Sequence, residues 1–179
     1  MDISRQELEL LNFYRASELH GGLILGALVR RTRDPQLILD LTRHSAEEVV
    51  HARLWTETIL EVGGRPWPIR DTYQSRYAAV VGTPLTLLDV LALTQVFERR
   101  VYRHFTEHLR RPGTHPAVRE TLHRMLEEEA GHLLWVRRWL DAQAVTRPDA
   151  VRETMRRYAA ADDAVYGALL LEFGWRRAA

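Results

Sequence analysis

Apolar positions in this chain recur every three to four residues, and five stretches sustain that rhythm long enough to predict a helix. The first opens at a capping box, Ser4-x-x-Glu7. Its stripe is Leu11, Tyr14, Glu18, Gly21/Gly22, Leu25 and Leu28, ending near Arg31. The second begins at Asp34-Pro35, a cap residue followed by a ring that suits the first helical position. It carries Leu41, His44/Ser45, Glu48, His51/Ala52, Trp55 and Ile59, and Val62-Gly63-Gly64 closes it. Thr83-Pro84 is the expected cap of the third, with Leu88, Leu91, Thr94/Gln95, Glu98, Val101/Tyr102, Phe105 and Leu109 inward. The fourth starts at Pro116 and shows Leu122, Met125/Leu126, Glu129, His132/Leu133, Val136 and Trp139/Leu140. Residues 65–82, with Pro66, Pro68 and Gly82, break the rhythm and read as a long crossover between two helical hairpins. After Thr146-Arg147-Pro148 a fifth helix presents Val151, Met155, Tyr158, Val165/Tyr166, Leu169 and Phe173, a face that either covers the other helices or meets a second subunit.

The polar residues on these stripes repeat. Glu18 precedes Glu48-x-x-His51 by 30 positions, and Glu98 precedes Glu129-x-x-His132 by 31. The midpoints fall in the breakers 31–35 and 111–116, so both members of each pair lie equally far from their own turn. Fifteen residues at 1.5 Å rise place them about 22 Å from it, level with each other on antiparallel neighbours. Four glutamates and two histidines in this order are the ligand set of a carboxylate-bridged two-metal centre in a four-helix bundle. Four unpaired carboxylates in a core would each cost several kcal/mol, and no lysine or arginine shares the stripes to neutralise them.

Other residues near the pattern have plainer readings. Glu47, Glu127 and Glu128 lack a histidine three positions on and are expected on solvated faces or as outer partners of the ligands. His44 lies one turn before Glu48, but its counterpart is Met125, so symmetry makes it a core or supporting histidine. His20, His104, His108, His115 and His123 are expected at the surface or at helix ends. Tyr14 and Tyr102 each sit one turn from an outer glutamate. For Tyr14 the favoured reading is aromatic packing with its hydroxyl on a carboxylate; for Tyr102 packing stands equal with a role in the site by hydrogen bonding or electron transfer. Gly21-Gly22 costs a helix about 1 kcal/mol per glycine, explained either by close helix packing or by a pocket for oxygen and substrate.

Composition adds limits. With 179 residues, 46% of them hydrophobic, the chain is expected to form one domain, a bundle over about 3–143 plus an extra helix over about 148–173. Its 25 basic and 24 acidic residues are interspersed, so no nucleic-acid footprint is visible. There is no cysteine, which excludes disulfides, thiolate nucleophiles and a rubredoxin-type iron site. The longest apolar run, Gly21 to Val29, is too short for a bilayer, and the amino terminus shows no leader pattern, so a soluble cytoplasmic protein is expected.

On the two Glu…Glu-x-x-His repeats, the chain resembles the ferritin-like superfamily of di-iron carboxylate proteins, which includes rubrerythrins, bacterioferritins and tRNA-modifying hydroxylases. The resemblance covers roughly residues 3–143. It implies an all-α ferritin-like four-helix bundle, two antiparallel hairpins joined by a long crossover, with a fifth C-terminal helix. It implies two iron ions, with manganese the main competitor, held by Glu18, Glu48, His51, Glu98, Glu129 and His132. It further implies activation of dioxygen or peroxide, by an oxidoreductase or hydroxylase acting on an organic substrate, or alternatively by a ferroxidase handling iron itself. A bundle using metal only as a structural staple is the third reading. Without a rubredoxin module the electrons must come from an external donor, and a homodimer is expected from the fifth helix.

Overall fold

A computed structural model describes residues 3–174. The chain is all-helical, with no strand among the described residues: α1 (Arg5–Leu28), α2 (Pro35–Glu61), α3 (Tyr73–Val81), α4 (Leu87–Arg110), α5 (Pro116–Thr146) and α6 (Pro148–Glu172), with a 3₁₀ turn, Val29–Arg31, after α1. The helix starts follow local chemistry. Ser4 Oγ accepts from Glu7 N (3.1 Å), and Asp34 Oδ1 accepts from Gln36 N (2.9 Å) and Leu37 N (3.2 Å). His115 caps α5 with its ring Nδ1, which accepts from Ala117 N. The cap expected at Thr83-Pro84 lies instead at Thr86. Its Oγ1 accepts from Asp89 N (3.0 Å) while Asp89 Oδ2 accepts from Thr86 N (3.1 Å), a reciprocal box unavailable to Thr83.

The stretch 65–82 is not wholly irregular, because α3 lies within it. Thr72 Oγ1 accepts from Ser75 N at its start. Gly82 ends it at φ +82°, a left-handed conformation that glycine adopts without strain, and donates its N–H to Ala78 O (2.9 Å). Tyr77 donates its hydroxyl to Asp162 Oδ1 of α6 (2.5 Å), and Arg76 grips Glu172 through two hydrogen bonds (2.7 and 3.1 Å).

The closest packing is α1 along α2, followed by α4 along α5; α2 also meets α5, and α6 lies on α3, α4 and α5. Leu11, Leu41, Trp55, Ile59, Phe105, Leu122 and Val136 form the buried centre. α1 approaches α2 at Gly22, where a Cβ would stand 3.0 Å from the Ser45 carbonyl oxygen and 3.1 Å from a Val49 methyl. Ser45 Oγ donates to Gly22 O across that contact (2.7 Å). In α6, Val151, Tyr158, Val165, Tyr166 and Leu169 are buried within the chain itself, so this face covers other helices and needs no second subunit to shield it. No helix among the described residues is long and apolar enough to cross a membrane.

Candidate metal centre

Glutamate and histidine three apart point from one helix face, so α2 offers Glu48 with His51 and α5 offers Glu129 with His132. α1 adds Glu18 and α4 adds Glu98. All six side chains are buried. They converge in two groups, Glu18, Glu48, His51 and Glu129 in one, and His44, Glu48, Glu98 and His132 in the other, with the candidate ligand atoms of each group within 4.8 Å of one another. Glu48 belongs to both. His132 Nδ1 lies 3.1 Å from Glu129 Oε2 and 3.3 Å from Glu48 Oε1. His51 Nδ1 lies 3.6 Å from Glu129 Oε1 and 4.0 Å from Glu18 Oε2.

The outer ring nitrogens are tied in a crossed pattern. His51 Nε2, on α2, donates to Glu128 of α5 (2.9 Å), and His132 Nε2, on α5, donates to Glu47 of α2 (2.9 Å). A carboxylate behind an imidazole fixes the ring and its tautomer and turns the opposite nitrogen inward, the arrangement metal-binding histidines share. Of the adjacent acids, Glu47 and Glu128 are thus outer partners and Glu127 is exposed. Glu128→Ala or Glu47→Ala should weaken metal binding about 10–100-fold in a chelator-competition titration; an unchanged affinity would show that these bonds do not orient the ligands.

His44 enters the cluster more deeply than its sequence position suggests. Trp135 donates its indole N–H to His44 Nδ1 (3.2 Å), and indole has no acceptor, so Nδ1 carries a lone pair and Nε2 carries the hydrogen. That Nε2–H points at Glu48 Oε1 (3.0 Å) and Glu98 Oε1 (3.3 Å). His44 is therefore a hydrogen-bond donor that holds two carboxylates, with its ring stacked 3.7 Å from that of His132.

The electrostatics are those of a site short of positive charge. Burial raises Glu18 well above the usual carboxylate range, reinforced by Glu48 and Glu129; burial raises Glu98 likewise, with Glu129 and Glu48 adding to it. Burial also opposes ionisation of Glu48 and Glu129, but His44 and His132 hold Glu48 down at about 2, and His132 keeps Glu129 below its ordinary value. His132 is lifted to about 9 against its own burial by Glu129, Glu48 and Glu47. Buried His51 Nδ1, Glu48 Oε2 and Glu129 Oε1 find no hydrogen-bond partner among the described residues. A cation between them would satisfy all three, and the donor set, carboxylate oxygen with imidazole nitrogen, suits iron or manganese. The cluster could hold a metal ion.

The tyrosines do not join it. Tyr102 is 38% exposed, because its position on α4 falls one step off the buried stripe occupied by Val101. Tyr14 is buried as expected, packed on Trp55 and Phe105, but its hydroxyl meets His108 Nδ1 (3.2 Å) and no carboxylate. His108, expected at the surface or at a helix end, lies in the last turn of α4, where it is buried and bonds Glu7 Oε1 through Nε2 (2.6 Å). His104 is buried too, its pKa pushed down to about 3 chiefly by desolvation, against the rings of Tyr14 and Tyr166. His20 is half-buried on Thr72, and His123 is exposed.

The two glycines separate. Gly22 serves close packing. A Cβ at Gly21 would instead stand 3.3 Å from both Glu48 Oε2 and Gln74 Nε2, so Gly21 leaves room beside the cluster. Gln74, from α3, was hidden from sequence reading in the irregular stretch, where Thr72 and Gly82 were the only helix signals. Trp135 was hidden as well, one more apolar residue of α5. No protein-family model, curated protein or solved structure matches the chain.

Proposed function

We propose that this chain is a ferritin-like di-iron protein that activates dioxygen or peroxide and hydroxylates an organic substrate. In this reading α1, α2, α4 and α5 form a four-helix bundle of two antiparallel hairpins, residues 65–82 are the crossover and α6 is the added helix. The observation that carries it is the crossed pair Glu128–His51 and Glu47–His132, which turns the Nδ1 atoms of two histidines toward four buried glutamates. Glu18, Glu48 and His51 would hold one ion, and Glu98, Glu129 and His132 the other, with Glu48 and Glu129 shared; two divalent cations balance four carboxylates. Bound there, iron would supply electrons to dioxygen or peroxide.

The chain's own residues supply the setting. Glu47 and Glu128 orient the histidines, the His44 Nε2–H steadies Glu48 and Glu98, and burial excludes bulk water. Beside Glu48 and Glu98 lies a small pocket of about 30 Å³ lined by Gly21, Leu25, Thr94 and Phe97, room for a molecule about the size of water or dioxygen. Inserting one atom of dioxygen into a C–H bond sends the other to water with two protons and two electrons, so an external reductant is required. Peroxide carries those electrons itself.

The test is anaerobic loading with ferrous iron, elemental analysis, then oxygen uptake at an electrode with reductant present. Two irons per chain and uptake that continues with reductant are expected. A single burst that resumes only on adding more ferrous iron would indicate a ferroxidase, and no uptake with oxygen or peroxide would leave metal as a structural staple.

A further inference from the structure

Between α1, α3 and α4 an apolar cavity of about 580 Å³ opens on the surface, lined by Ile24, Ala27, Leu28, Ala78, Pro84 and Leu93 among others. This is the size of a small-molecule site. Ile24, Gln74, Val90 and Leu93 line both this cavity and the small pocket beside Glu48 and Glu98, so the two spaces share a wall. In that wall Gln74 Nε2 stands beside Gly21, 3.3 Å from where a Cβ would lie, and is tethered to Ser17 O (3.0 Å). The outer wall has a different character. Arg30 and Arg31 line it, both exposed and with no ion pair among the described residues.

We propose that the cavity admits an elongated apolar molecule ending in a carboxylate, with its apolar end toward Glu48 and Glu98 and its carboxylate on Arg30 and Arg31. This names the substrate class of the site proposed above and rests on that reading. An apolar lining takes up methylenes by the hydrophobic effect. Guanidinium, planar and always charged, matches a carboxylate through two parallel hydrogen bonds. A cationic end would be repelled at the same place, and an uncharged end would leave the arginines unused.

The test uses the full chain, metal-free and then manganese-loaded, with sodium octanoate, decanoate and dodecanoate in calorimetric titrations below their micellar concentrations. Affinity should rise about fourfold for each methylene buried. The double variant Arg30→Gln/Arg31→Gln, on exposed positions, should weaken dodecanoate at least 10-fold while leaving dodecan-1-ol unchanged. Ala78→Trp should fill the cavity and abolish binding of both, with unchanged helicity by circular dichroism as the control for folding. With 12,12,12-trifluorododecanoate, manganese in the site should broaden the fluorine resonance of the bound probe.

Affinity independent of chain length, equal loss for acid and alcohol in the arginine variant, full binding by Ala78→Trp, or a fluorine resonance indifferent to manganese would each overturn the proposal. Chain-length-dependent binding by a protein that takes up no oxygen would remove the oxygenase reading and keep the cavity. Oxygen uptake by a protein that binds none of these acids would do the reverse.

Discussion

Adding two equivalents of ferrous iron to the metal-free protein at pH 7 should release protons, measured by pH-stat or by calorimetry in buffers of different ionisation enthalpy. One is held in the metal-free cluster by His132, lifted to about 9, and burial, which raises Glu18 and Glu98 above the ordinary carboxylate range, makes these two the further sources. Each must leave for its atom to bind a cation, so loading weakens as pH falls. The stability of the metal-free chain runs the other way. The folded pKa of His132 lies above its ordinary 6.5, so its contribution is complete below pH 6.5 and is lost as pH rises through about 9. Glu18 and Glu98, also raised, push in the same direction from their ordinary 4.5 upward. Glu48, held down to about 2, contributes above 4.5 and loses that only in strong acid, outside this window. The gap in Tm between metal-loaded and metal-free protein should therefore widen from pH 6.5 to 9, by mass action on the folded state. A gap that narrows, or no proton release, would mean that the six residues do not share ions.

The second large effect is expected far from the cluster. Arg100 pairs with Asp162 through two guanidinium nitrogens, both side chains are nearly buried, and Tyr77 donates to the other oxygen of the same carboxylate. Arg100→Leu would leave the Asp162 charge buried without its partner, and breaking such a pair costs about 3–5 kcal/mol. For a domain of this size that is a drop in Tm on the order of 10 °C. Arg100→Leu/Asp162→Leu, which removes both charges, should recover much of the loss, while an equal deficit in the double variant would assign the cost to packing. Because the network also fixes α3 through Tyr77, the single variant should loosen the wall that carries Gln74.

These two effects rest on different amounts of sequence information. The helices α1, α2 and α5 could be read with their starts nearly right, because Ser4, Asp34-Pro35 and Pro116 act through atoms within four residues, whereas the cap of α4 lay at Thr86 and not at Thr83-Pro84. Their stripes follow from a period each helix imposes on itself. The convergence of Glu18, Glu48, His51, Glu98, Glu129 and His132 was likewise written in equal distances from two turns. Tyr102 shows the limit of that reading: the stripe could be drawn through Val101 or Tyr102, and only packing chose Val101.

What the tertiary structure alone decided concerns side chains whose partners belong to other helices. Glu47 and Glu128 point about 100° away from the ligand stripe, and nothing along α2 or α5 says that each would meet the histidine of the other. The tautomer of His44 depends on Trp135, 91 positions away, which donates where a metal-facing histidine would need its own hydrogen. Tyr14 found His108 across 94 positions, and α6 could only cover its apolar face once α3 and α4 stood beside it. Local chemistry acts within one helix turn and is legible in order along the chain. Hydrogen bonds and burial between helices depend on which faces meet, and that is settled by the packing of the whole chain, through contacts such as Gly22 on Ser45 that no single segment contains.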